Sequence, residues 1–209
     1  MSDIVRFYFS FRSPYSWLAV YRINLIIDEL PVNFELIPVF PSKDFNNDPG
    51  LNNNKLRYMR EDISRIAAAY GLTVKRTGLK EPDWICPHAA YLYAADQGKA
   101  MEFCLSAHNA RFSEGLDLGD DKVIGNIADQ CDLNPEEAVN ASNDRKYHHR
   151  VLQGMSKASE IGLFGVPFFI YKKNKYWGND RIEWLLRDIY ADMDKAVPDL
   201  SSAPMLRPF

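Results

Sequence analysis

From Ile4 to Phe9 the apolar positions recur every second residue. Val5, Phe7 and Phe9 fall on one face and Tyr8 on the other, the pattern of a buried strand. The pattern then turns helical. Ser13 is a good N-cap, and Pro14 suits the first helical position, where its missing N–H would have no partner. Trp17, Leu18, Tyr21 and Leu25 carry the helix to about Leu30, before Pro31. Val32–Val39 alternates imperfectly and contains Pro38, which predicts a second strand near a sheet edge. Strand, crossover helix and strand make a βαβ unit with parallel strands and a right-handed connection.

Phe40 to Asn54 is a polar loop with Pro41, Pro49, Gly50 and five asparagines, long enough to suggest function. From Lys55 to about Ile161 only helical patterns occur. Tyr58, Ile63, Ile66 and Ala67 share one helix that stops at Gly71; Cys86-Pro87 opens another that ends near Gly98. Met101–Phe112, Asp120–Cys131, Pro135–Ala141 and Asp144–Ile161 follow, the last closed by Gly162. Sheet-type sequence returns at Gly165–Tyr171. A polar turn, Lys172–Lys175, leads to a short partner strand at Tyr176-Trp177. Asp180 is placed to cap a last amphipathic helix carrying Ile182, Leu185, Leu186 and Ile189.

This order, βαβ, then helices, then ββα, is that of an α/β thioredoxin-like fold with an inserted all-helical domain. The division is 1–54 and 162–198 for the thioredoxin-like domain, 55–161 for the helical insertion, and 199–209 for a C-terminal tail. In such folds the first strand–helix junction carries a C-x-x-C redox pair. Here the frame reads Ser13-Pro14-Tyr15-Ser16, and two serines cannot form a disulfide. The setting survives the swap: free N–H groups and the macrodipole at a helix N-terminus favour an anion. A hydroxyl there can donate to a thiolate supplied by another molecule. Gly165-Val166-Pro167 opens a sheet segment, which makes Pro167 a candidate cis-proline; Val166 would then offer its backbone to an extended peptide. Alone, the first motif reads as an ordinary Ser-Pro cap and the second as an edge-strand proline. Together, at corresponding ends of the fold, they read as a binding site for a thiol-bearing peptide.

Composition narrows the field further. Hydrophobic residues at 46% and charged ones at 25% are ordinary for a globular protein. A net charge of −3 with no basic run gives no case for nucleic acid, and no apolar run is long enough for a membrane span. The N-terminus reads as strand rather than signal peptide. Three widely spaced cysteines, Cys86, Cys104 and Cys131, fit a reducing cytoplasm and suggest no metal site. Cys86-Pro87-His88 pairs a thiol with a base, but it opens a helix without oxyanion donors and is read as structural.

Four segments carry a resemblance over nearly the whole chain. They are Phe9 through Ser13-Pro14-Tyr15-Ser16-Trp17-Leu18, Lys55-x-x-Tyr58-Met59, Gly162-x-Phe164-Gly165-Val166-Pro167, and Trp177-Gly178-Asn179-Asp180-Arg181. They are similar to kappa-class glutathione transferases and 2-hydroxychromene-2-carboxylate isomerases, relatives of the DsbA-like oxidoreductases. The resemblance implies glutathione as cofactor, with Ser13 holding its sulfur and Val166 and Pro167 pairing with its backbone. It implies Asn179 and Asp180 at the γ-glutamyl end, and Lys55 with Asn46 placing the ligand. The segment around Asn46 departs from the family's glycine-rich pattern. The activity implied is a glutathione-dependent cis–trans isomerisation of a conjugated carbonyl compound, with a small hydrophobic or aromatic substrate and a homodimeric assembly. The alternatives are a kappa-type transferase that releases a stable conjugate and a non-catalytic thioredoxin-like binding protein.

Overall fold

The structure, a computed structural model of the chain, describes residues 3–40, 53–75 and 81–197. The chain opens with β1 (Ile4–Phe9), α1 (Pro14–Asn24) and β2 (Asn33–Pro38). The helical stretch holds α2 (Asn53–Ala69), α3 (Ile85–Asp96), α4 (Ala100–Asn109), α5 (Asp121–Gln130), α6 (Pro135–Asn143) and α7 (Arg145–Glu160). The hairpin β3 (Phe168–Tyr171) and β4 (Asn174–Trp177) and the helix α8 (Ile182–Ala191) complete it. The four strands form one mixed sheet in the order β2-β1-β3-β4, with β1 parallel to β2 and antiparallel to β3.

The two-residue alternation of β1 divides the core as the pattern predicts. Val5, Phe7 and Phe9 join Phe169 and Tyr171 in the main cluster, which continues through Ala19, Val20 and Ile23 of α1 and Leu185, Leu186 and Ile189 of α8. Phe7 stacks on Phe169 with ring centroids 4.4 Å apart. Tyr8, Phe168 and Ile170 face the other way, onto Met155 and Ala158 of α7. Helices therefore cover both faces, as a sheet with a parallel pair requires.

The main cluster does not stop at the sheet. It runs into Tyr91, Phe103, Ala107 and Ile127 of the helical stretch. Phe9 meets Tyr91 edge-on at 5.0 Å, and the Tyr91 hydroxyl donates to the Leu36 carbonyl of β2 at 2.9 Å. Trp17 is fully buried on α1, and its indole N–H donates to Asn109 at the end of α4 at 2.8 Å. A buried Trp needs such a partner to offset desolvation.

Three details depart from the sequence pattern. The first helix ends at Asn24 rather than near Leu30; the chain tightens into 3₁₀ turns, with Ile26 N–H on Ile23 O and Glu29 N–H on Ile26 O. The β-branched pair Ile26-Ile27 loses most rotamer freedom in an α-helix and fits this tighter path. The hairpin turn is shorter than Lys172–Lys175, because Lys172 adopts a positive φ of 52° and β4 starts at Asn174. Asp180 does not cap the last helix. It lies in a 3₁₀ turn, Asn179–Arg181, which separates it from α8, and its carboxylate pairs with Arg181 at 2.6 Å.

Candidate functional site

The end of β1 delivers the chain to the Ser13 turn. The Ser13 N–H donates to the Ser10 carbonyl at 3.0 Å, which reverses the backbone, and Ser13 then starts α1 with extended dihedrals. Its Oγ accepts the Ser16 N–H at 3.2 Å. The hydroxyl's own hydrogen has no acceptor among the described residues, and neither has the Tyr15 amide on the first turn. One hydroxyl and one amide thus remain at the positive end of α1, where an anion is favoured. The second serine of the frame is turned inward: Ser16 is fully buried, and its Oγ accepts the Ser10 N–H at 3.3 Å.

Val166-Pro167 is a cis peptide. The β1–β3 register pairs Tyr8 with Phe168, so its continuation sets Pro167 opposite Phe9 and Val166 opposite Ser10, at the strand end that carries Ser13. The Val166 N–H and C=O make no hydrogen bond among the described residues, while the Pro167 carbonyl accepts the Gly178 N–H at 2.9 Å. An unpaired backbone N–H and C=O beside a helix N-terminus is a seat for one extended peptide.

The third wall comes from α2. Lys55, Tyr58 and Asp62 recur at helical spacing, and Lys55 and Tyr58 are exposed. The Tyr15 hydroxyl donates to Asp62 at 2.9 Å, which ties this wall to the helix that starts at Ser13. Burial first, then the Asp62 bond and the field of Asp62, Tyr58 and Asp180, push the Tyr15 phenol well up, so it stays protonated.

Asn179 and Asp180 diverge. Asp180 is exposed beside Arg181. Asn179 is buried, its amide N–H donating to the Tyr70 hydroxyl at 3.2 Å, while its Oδ1 has no partner. Its carbonyl accepts from Arg22 at 2.6 Å, and Arg22, itself buried, is paired with Glu183. Ser13, Val166 and Pro167 therefore share one end of the sheet, and the field of Asp180 reaches Tyr15. Asn46 lies outside the described residues. Among the described residues no cluster of side chains could hold a metal ion, and Cys86, Cys104 and Cys131 are all free thiols.

Two residues escaped the sequence reading. His88 and His108 are fully buried and touch the backbone of the Ser10–Phe11 turn from α3 and α4. His88 was legible only as a neighbour of Cys86. The Tyr15–Asp62 bond had a weak local signal, since Asp62 lies two helical turns beyond Lys55.

The family model of the DSBA-like thioredoxin domain matches residues 4–190. A protein from Sphingobium xenophagum named 2-hydroxychromene-2-carboxylate isomerase is 26% identical over 195 residues, covering 88% of this chain and 97% of that relative. A solved structure of a 2-hydroxychromene-2-carboxylate isomerase superposes with a TM-score of 0.81 at 20% identity, covering 91% of this chain and 96% of the other. The cytosolic disulfide reductase DsbM from Pseudomonas aeruginosa, solved with GSH, superposes with a TM-score of 0.65 at 17% identity, covering 91% and 97%.

Proposed function

The chain belongs to the DSBA-like thioredoxin domain family, and we propose that within it this protein is a glutathione-dependent isomerase acting on a conjugated carbonyl compound in a reducing, cytoplasmic setting. One observation carries the reading. Ser13 Oγ already accepts the Ser16 N–H at the start of α1, so its hydrogen remains available to donate to an anion bound there. The names of the relatives support an isomerase, and the GSH bound to a protein of the same fold supports the tripeptide.

Glutathione would lie extended against Val166, with Lys55 for a carboxylate and Asp180 for an ammonium. Its sulfur would sit at Ser13. A free thiol titrates near ~8.5, and lowering this to ~6.5 raises the ionised share at pH 7 from about 3% to about 75%. That shift needs about 2.7 kcal/mol of preferential anion binding. One hydroxyl bond to a charged group, roughly 1.5–3 kcal/mol, together with a helix terminus, roughly 0.3–1 kcal/mol, is of that size. The thiolate adds to the β-carbon of the enone, and the π electrons move onto oxygen as an enolate. Rotation about the new single bond follows. The enolate then collapses, re-forms the double bond and expels the thiolate, so no atom or electron is gained.

Calorimetry with glutathione, followed by mass spectrometry of a cis enone incubated with enzyme and thiol, tests the reading. The expected result is binding, trans enone as product and glutathione recovered intact. A stable conjugate formed in step with glutathione loss would move the protein to the transferase class, and absence of binding would remove the cofactor.

A further inference from the structure

We propose that His88 is a positioning residue for the Ser13 site: an uncharged imidazole that reaches from the helical stretch to hold the Phe11 N–H, with the His108 ring packed against the same Phe11. The proposal rests on the reading of Ser13 as the residue that holds the thiolate. His88 Nε2 accepts the Phe11 N–H at 3.2 Å, and Nδ1 lies 2.5 Å from the Trp84 carbonyl. An acceptor on one side and a carbonyl on the other require the hydrogen on Nδ1.

His108 faces two carbonyls. Nδ1 lies 2.8 Å from the Cys104 carbonyl and 3.7 Å from the Cys104 thiol, and Nε2 lies 3.2 Å from the Ser10 carbonyl. A neutral ring carries one hydrogen, so either tautomer leaves one nitrogen bare against a carbonyl, and what this ring gives the turn is its packing on Phe11.

The Ser10 carbonyl is the same one that accepts the Ser13 N–H, and the Ser10 N–H is held by Ser16. Fixing Ser10 and Phe11 therefore fixes where the α1 cap begins. The two rings also flank Phe11, with centroids 4.8 Å and 4.9 Å from it. Burial is the largest influence on both histidines and lowers them to about 3 and about 4, so both stay neutral near pH 7. Apolar side chains would fill this volume without the desolvation cost of two imidazoles. What the His88 imidazole adds is a hydrogen-bond acceptor for the Phe11 N–H, just beyond the last ladder pair of β1.

The test compares two replacements. His88→Gln can still accept from the Phe11 N–H; His88→Leu cannot. In the leucine variant the turnover number should fall about tenfold or more, the scale expected when a reacting group is misplaced. Glutathione affinity should move much less, and the glutamine variant should recover most of the loss. Imidazole nitrogen chemical shifts of the wild-type protein should show Nδ1–H in His88. A folded leucine variant with wild-type turnover, or an Nε2–H tautomer at His88, would overturn the role. If the leucine variant does not fold, the tautomer and the glutamine variant decide. Should the wild-type protein not bind glutathione, the function falls but the positioning role does not; the tautomer and amide-exchange protection over residues 10–16 still decide it.

Discussion

Ser13 and Ser16 are chemically identical and three residues apart, yet the fold assigns them different tasks. Ser13 stands at the helix end with a hydrogen to give, whereas Ser16 is sealed in the core as the acceptor for the Ser10 N–H. Ser16→Ala should therefore act on stability: a buried donor left unpaired costs about 1–3 kcal/mol, readable in a denaturant midpoint. The histidines bring a pH dependence of their own. Each has an unfolded-state value near 6.5 and a folded value of about 3 or about 4. Their contribution is fully present above the unfolded value and is lost as pH falls through that window, because the unfolded chain then binds more protons. The slope is at most about 1.4 kcal/mol per pH unit for each histidine. Unfolding measured from pH 7 to pH 4 should show His108→Gln with a shallower decline than wild type; equal slopes would contradict it. Ser13 was legible from sequence because cap, proline and hydroxyl lie within a few residues. His88 and His108 were not, because their partners lie 77 and 98 residues away along the chain.

At the scale of elements, the turn between β4 and α8 carries the most constraint. Gly178 sits at φ 116°, and a Cβ there would come within 2.4 Å of the Asp180 carboxylate. Gly178→Ala should cost about 1–3 kcal/mol in backbone strain alone and displace Asp180, which thermal melts and glutathione titration would both register. The next turn of chain is held to α1 by Arg22, buried beneath Asn179 and Glu183. Removing Glu183 leaves that guanidinium with the Asn179 carbonyl as its hydrogen-bond acceptor among the described residues; because Arg22 is buried while Glu183 is partly exposed, Glu183→Ala should destabilise by about 1–3 kcal/mol, less than the loss of one side of a fully buried pair. Local signals found most elements here, since strands, caps and glycine stops are written in neighbouring residues. The 3₁₀ turn before α8 was hidden because Asp180 looks like a cap whether or not a turn intervenes. Its actual partner, Arg181, offers the same sequence evidence for either outcome.

Across the whole molecule, one apolar cluster joins the sheet to the helical stretch, through Phe9, Phe11, Tyr91 and Phe103. The order of elements made the thioredoxin-like topology readable from sequence, but not this continuity, which depends on which helix face meets β1. The cysteines complete the contrast with redox relatives. Cys104 and Cys131 are buried, Cys86 is partly so, and burial raises all three thiols. A thiol reagent should therefore modify Cys86 first and slowly, with the other two reacting only on unfolding, and the protein should not reduce insulin.

If the Ser13 hydroxyl stabilises a borrowed thiolate, the ultraviolet absorbance of glutathione thiolate will titrate differently on the wild-type protein and on Ser13→Gly, which removes the hydroxyl while keeping the cap to within a few tenths of a kcal/mol. A bound thiol that ionises near ~6.5 in the wild type and drifts toward the free value of ~8.5 in the variant is the outcome predicted. Identical titration curves for the two proteins, or a wild-type thiol that titrates like free glutathione, would contradict it.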